Sequence, residues 1–264
     1  MEMENTRENW DRAAADYQNV FRLGLNDYNA SLLHFWQSEG MLFPGARVID
    51  IGCGVGKYGT YLAELGYDVT LTDISGEMLR HARENMAKYH TPWTVYRCDF
   101  NEATGEEPVF SAGFDLAIST MSPAVHDAGT VRKMSAMSRG WCFLARFHDW
   151  EQPFRDKLMR ELNMEPRRVF DDLKGDCAAM IRAVREAGFF PQVRYVNYNW
   201  SDARTPEQMA DYMFRNYFSE EENKTALYRE TMSRAGHHAG PDGTVTDEVN
   251  TRVAWIYWKT EEQK

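Results

Sequence analysis

Arg47-Val-Ile-Asp-Ile-Gly-Cys-Gly-Val-Gly-Lys-Tyr-Gly59 carries the strongest local pattern in the chain. Val48, Ile49 and Ile51 form a short apolar, β-branched run, which reads as a buried parallel strand. Gly52, Gly54 and Gly56 follow at once, and Tyr58, Tyr61, Leu62 and Leu65 then recur at helical spacing. Strand, glycine turn and helix make the first half of a nucleotide-binding βαβ unit. The glycines let the chain turn sharply and bring its backbone against a ligand with no Cβ in the way.

The ligand depends on which glycines are counted. Gly54-Val-Gly-Lys-Tyr-Gly59 fits the dinucleotide pattern GxGxxG and a nicotinamide-dependent oxidoreductase. Gly52-Cys-Gly-Val-Gly56 begins where the apolar run ends, with Asp50 two residues before it. An acidic side chain there sits poorly beside a pyrophosphate and suits a cationic ligand. A P-loop is excluded, because the spacing before Lys57 is one residue short and Tyr58 stands where Ser or Thr is required.

Val48-Ile-Asp-Ile-Gly-Cys-Gly-Val-Gly56 resembles the first motif of class I S-adenosylmethionine (SAM) dependent methyltransferases of the small-molecule type. Matching features run through residues 45–200, and the last strand joins later. The resemblance implies SAM as cofactor and S-adenosylhomocysteine as product. It also implies an α/β fold, a seven-stranded Rossmann-like sheet with helices on both faces. An N-terminal helical lid (1–44) and a helical cap (201–250) would flank the 45–200 core, and residues 251–264 would supply the final strand, antiparallel between strands five and six. Asp50, Gly52, Cys53, Gly54 and Gly56 would then touch the cofactor.

Upstream, Trp10, Ala13, Ala14 and Tyr17 fall on one helical face. Trp10-Asp-Arg-Ala-Ala-Ala-Asp-Tyr17 resembles the W-D-x-x-A-x-x-Y helix that covers the SAM site in many small-molecule methyltransferases, which implies that Tyr17 lies on the cofactor. A plain amphipathic helix packed on the domain fits the same residues. A second helix, residues 30–39, carries Trp36 and also His34, which is expected on the acceptor side.

Tyr67-Asp-Val-Thr-Leu-Thr-Asp73 reads as the second strand. A carboxylate at its tip can accept both ribose hydroxyls of an adenosine. Its other use would be to cap the next helix, for which Ser75 is better placed. Ile74 and Met78 are expected against the adenosine. Trp93–Cys98 is the third strand, after which the resemblance puts Asp99 on the adenine amino group and Phe100 on the ring. Phe114–Thr120 is the fourth, with Asp115 structural and with Ser119 and Met121 at the cofactor. Methyltransferases acting on adenine or glutamine amide nitrogen usually continue with Asn/Asp-Pro-Pro-Tyr/Phe. Ser122-Pro-Ala-Val125 lacks both the amide and the aromatic residue, which argues against those substrates.

His126, and His148 beyond the fifth strand Trp141–Phe147, are the candidate bases at strand tips; a loop His capping the next helix accounts equally for His126, and a surface turn for His148. Asp176–Ala187 is a helix ended by Gly188, and Val193–Trp200 is strand six. In the cap, Thr205-Pro-Glu207 opens a helix bearing Met209, Tyr212, Met213, Phe214, Tyr217 and Phe218. That is more than one buried stripe needs, so Tyr212 and Phe214 are expected on the acceptor, with a dimer interface as the alternative. Arg252–Thr260 reads as the closing strand.

The chain has 264 residues, 43% of them hydrophobic, enough for one elaborated domain. A net charge of −10 without a basic run argues against a nucleic-acid partner. No apolar run reaches membrane-span length, and four widely spaced cysteines read as thiols of a reducing, cytoplasmic compartment with no metal site. The expected reaction is methyl transfer to a small molecule by a monomer or homodimer. A nicotinamide oxidoreductase and a non-catalytic SAM-binding protein are the other readings.

Overall fold

A computed structural model describes residues 6–21, 26–111, 113–166, 172–218 and 223–261. Two helices come first, α1 (Arg7–Phe21) and α2 (Asp27–Ser38). Strands and helices then alternate: β1 (Arg47–Ile51), α3 (Lys57–Glu64), β2 (Asp68–Asp73), α4 (Gly76–Met86), β3 (Trp93–Arg97), β4 (Phe114–Thr120), α5 (Ala128–Met137) and β5 (Ser138–Glu151). The remainder is α6 (Pro153–Glu161), α7 (Leu173–Glu186), β6 (Gln192–Asn197), β7 (Trp200–Arg204), α8 (Pro206–Asn216), α9 (Lys224–His237) and β8 (Val245–Lys259).

The strands form one sheet in the order β3-β2-β1-β4-β5-β8-β6, with β7 paired antiparallel to β8. The last strand in sequence does enter between β5 and β6. The order reverses at β1, which makes the carboxyl ends of β1 and β4 the switch point where open α/β sheets bind ligands. The expected seven strands become eight among the described residues. Trp200-Ser-Asp-Ala-Arg204 is a separate strand, and the expected sixth strand stops at Asn197. β5 and β8 are also longer than their apolar runs, so the segment between β6 and the apolar end of β8 is only partly helical.

Register explains the two faces. Ile49, Ala117 and Cys142 are paired across β1, β4 and β5 and bury against Met134 of α5 and Met180 and Val184 of α7. The next row, Leu71, Asp50, Ile118 and Phe143, turns to the opposite face. There Trp36 of α2 lies 5.3 Å from Phe143, and Gly59 of α3 packs so closely on Leu71 that a Cβ would come within 2.6 Å. Three apolar residues and one carboxylate make up that row.

The chain divides into two compact units. The larger comprises residues 3–146, 175–196 and 254–264, and the smaller comprises 1–2, 147–174 and 197–253. In the smaller unit Leu158 and Met159 of α6 bury with Met209, Met213, Tyr217 and Phe218. Four of the six cap residues thus belong to that unit's own core, with Tyr212 and Phe214 partly buried against it. Its polar centre is Gln152, which receives Trp150 Nε1, Arg155 Nη1 and the Tyr217 hydroxyl and donates to the Tyr212 hydroxyl.

Candidate functional site

The glycine turn after β1 is tied to β2, since the N–H groups of Gly52 and Cys53 both donate to Thr72 O at 2.8 and 2.9 Å. Gly52 has φ +73°, and a Cβ there would lie 1.9 Å from Ser122 Oγ, so no other residue fits. Gly54, at φ +55°, is different: a Cβ would meet only Met78 Sδ at 3.9 Å. The backbone at Gly54 is therefore open to a ligand. Gly56 ends the turn as the N-cap of α3.

Asp73 stands at the tip of β2 with Oδ2 accepting from Gly54 N and Oδ1 from Ser75 N, each at 2.9 Å. The N–H of Ile74 also bears on this carboxylate. Burial raises its pKa against the opposing pull of those N–H groups. Ser75 takes the capping role expected of it, with Oγ accepting from Met78 N. Asp50 is 1% exposed, and neither of its carboxylate oxygens has a hydrogen-bond partner among the described residues. Burial, and then the charge of Asp73, push it up to about 8. Cys53 is half-buried, its thiol raised by burial and by Asp73 and Asp50.

Helix α1 is docked beside this turn. Asp11 accepts from Ser75 Oγ at 2.5 Å and from Glu77 N at 3.2 Å, while Gln18 and Asn85 exchange amide hydrogen bonds. Ala14 buries with Val55 of the turn and Met78 of α4, flanked by Trp10, Ala13 and Phe21. Tyr17 is 46% exposed, and its phenol pKa is raised by the surrounding protein and by the charge of Asp73. The docking roles of Asp11 and Asn85 are not read from the sequence. The one available signal was the acidic residue after Trp10.

The remaining expected residues distribute as follows. Asp99 Oδ1 accepts from Asn101 N, and Phe100 is buried against Phe110 with Lys133 Nζ over its ring. Ile74 is half-buried, and its carbonyl accepts from Arg97 Nε. Ser119 Oγ is buried without a partner, and Met121 holds φ +51°, a strained value for a side chain of its size. Arg146, which the sequence did not single out, clamps this tip by donating to Ser119 O, Ala145 O and Val125 O. Burial lowers its pKa to about 10. Asp115 is structural, bound by Arg47 N and bidentately by Arg139.

His126 is exposed, with Nε2 4.0 Å from Asp127 Oδ2, on a cleft of about 710 Å³ that Asn101, Pro123, Thr130 and Lys133 also line. Asp127, not His126, caps α5. His148 lies inside β5, in the smaller unit, and not in a turn beyond the strand. Burial and then Lys174 lower its pKa, and Lys174 pairs with Asp149 at 3.2 Å. His34 sits on the exposed side of α2, opposite Leu33 and Trp36. The Tyr212 hydroxyl accepts from Gln152, and Phe214 packs on Phe218 and Tyr228. Among the described residues no cluster of three or more His, Cys, Asp or Glu could hold a metal, and no helix is long and apolar enough to cross a membrane.

Residues 48–140 match a family model described as "Methyltransferase domain". A malonyl-[acyl-carrier protein] O-methyltransferase of Salmonella typhimurium is 44% identical over 79 residues, 30% of this chain and 30% of that one. A ribosomal RNA small subunit methyltransferase C of Alcanivorax borkumensis is 34% identical over 79 residues, 30% of this chain and 24% of the relative. The chain spans less than a third of the length of either relative. The magnesium protoporphyrin IX methyltransferase of Synechocystis, solved with bound S-adenosylhomocysteine, aligns at 14% identity and a TM-score of 0.49 over 94% of this chain and 97% of that one.

Proposed function

We propose that this chain, a class I SAM-dependent methyltransferase by the domain at residues 48–140, transfers a methyl group to a small-molecule acceptor. The observation that carries the reading is Asp73. Its carboxylate is fixed at the β2 tip by the N–H groups of Gly54 and Ser75, with that of Ile74 also bearing on it, and a ribose diol would take its remaining acceptor capacity. A second observation tests the fit of the cofactor. Asp50 is a buried acid with no hydrogen-bond partner among the described residues, and once ionised it suits a cationic ligand better than a pyrophosphate. The residues fit SAM better than a dinucleotide.

When bound, SAM supplies an electrophilic methyl group on a sulfonium. The chain's own part is to bind, orient and exclude water. Gly52, Cys53, Gly54 and Gly56 present backbone to the ligand, Asp73 takes the ribose, and Ile74, Met78, Asp99 and Phe100 take the adenine end. Tyr17 covers the site from α1, and Ser119 and Met121 border it from the β4 tip. Transfer is an in-line displacement, so alignment of donor and acceptor is the main contribution of the protein. For an acceptor that must lose a proton of high pKa, His126 and His148 are the candidate bases. His34, Tyr212 and Phe214 are the candidate acceptor contacts. The net charge of −10 and the Ser122-Pro-Ala-Val125 departure favour a small acceptor over nucleic acid.

Calorimetry with S-adenosylhomocysteine and with NADH tests the assignment. Binding of the first and indifference to the second is expected, and the reverse preference overturns it. Labelled SAM with a metabolite mixture, read by mass spectrometry, then identifies the acceptor.

A further inference from the structure

Asp50 occupies an otherwise apolar row, with Leu71 on one side and Ile118 and Phe143 on the other. Trp36 of α2 lies over that face, 5.3 Å from Phe143 and 6.0 Å from Tyr58 of α3. The charged and titratable groups facing Asp50 can be named element by element. β2 brings Asp73 and the glycine turn brings the Cys53 thiol. β4, β5 and α2 bring Ile118, Phe143 and Trp36, none of which titrates. In α3, Tyr58 stands against Trp36, and Lys57 at the start of the helix has its pKa lowered by burial alone. Among the described residues, Asp50 therefore meets a second carboxylate and no cation.

Two adjacent buried carboxylates do not both ionise readily. Asp73 receives N–H groups that stabilise its charged form, and Asp50 receives none. The proton belongs on Asp50. Resting on the SAM reading above, we infer that Asp50 is protonated in the ligand-free protein and exchanges that proton for the ammonium group that SAM and S-adenosylhomocysteine share. The O–H bond of Asp50 breaks, the proton leaves to solvent, and the carboxylate left behind faces the ligand cation. Asp50 then selects ligands by charge, and loading of the site follows pH.

The sign follows from the free and bound states. With a ligand-free value of about 8, Asp50 holds its proton at neutral pH. A ligand that lowers this value binds more tightly as pH rises, about tenfold per unit below 8 and level above it. The ligand's own amino group loses a proton near pH 8, so Asp50→Asn serves as the reference.

The test uses the full chain and S-adenosylhomocysteine, by calorimetry in buffers of different ionisation enthalpy, from about pH 6 to about pH 8.5. Release of nearly one proton per ligand at pH 7 is expected, with affinity rising about tenfold per pH unit, and both effects absent in Asp50→Asn. Equal affinity across that range without proton release overturns the inference and leaves the cofactor reading intact. If no S-adenosylhomocysteine binds at any pH, the cofactor reading falls, and carbon-13 NMR of the ligand-free protein decides for Asp50. A carboxyl signal missing from Asp50→Asn that titrates near 8 supports the proton on Asp50, and titration near the ordinary 3.8 overturns it.

Discussion

Gly52 and Ser122 meet so closely that the two positions constrain each other. Gly52→Ala meets Ser122 Oγ and also a left-handed φ, for a loss of about 2 kcal/mol or more in urea unfolding. Ser122→Gly, added to it, removes the clash and restores part of that loss, while the backbone strain stays. Asp73→Ala acts on affinity: loss of the diol acceptor weakens S-adenosylhomocysteine binding by about 1.5–3 kcal/mol, measured by calorimetry. Unchanged affinity in a folded variant would remove Asp73 from the site. Asp50 adds a pH dependence of opposite kind to an ion-paired acid. Its folded value lies above its unfolded one, so as pH rises from 3.8 to about 8 the unfolded chain ionises while the fold keeps the proton, and stability is lost over that range. The ligand-free Asp50→Asn protein should lose less stability than wild type across pH 6–8 in thermal unfolding.

Among the elements, α1 depends on Asp11. Burial pushes the Asp11 carboxyl up, but the Ser75 and Glu77 hydrogen bonds outweigh it, and the net pKa is lowered from 3.8. Its contribution is therefore present above that value and lost as pH falls through the lowered one. Asp11→Ala should speed hydrogen exchange in α1 at neutral pH and weaken cofactor binding, with the rest of the sheet unchanged. In the smaller unit, Arg155 is 3% exposed and donates to Gln152, Asp156 and Tyr217. Arg155→Met should destabilise α6 and α8 by about 3 kcal/mol in hydrogen exchange and leave S-adenosylhomocysteine affinity unchanged. These elements also show what sequence could reveal. β1, the glycine turn and Asp73 are legible because apolar runs, turn residues and a strand-tip acid are local signals. The Asp11–Ser75 contact joins residues far apart in the chain, so no local pattern announces it. β7 was missed because Trp200-Ser-Asp-Ala-Arg204 has little strand character; its pairing with β8 overrides propensity. His148 was expected beyond β5 because the apolar run ends at Phe147, whereas hydrogen bonding carries the strand to Glu151.

At the scale of the molecule, charge bears on binding kinetics. A net charge of −10 attracts a sulfonium more than a neutral thioether. Association of SAM, followed by stopped-flow tryptophan fluorescence, should slow severalfold between about 10 and about 150 mM salt, with S-adenosylhomocysteine much less affected. The order of the chain has a further effect, on biosynthesis. β8 supplies residues 245–253 to the smaller unit and 254–259 to the larger, and it is the strand that joins β5 to β6. On a ribosome the sheet waits with an open seam until these residues emerge. A nascent chain paused ahead of Val245 holds two unpaired strand edges, which is when this protein most needs a chaperone.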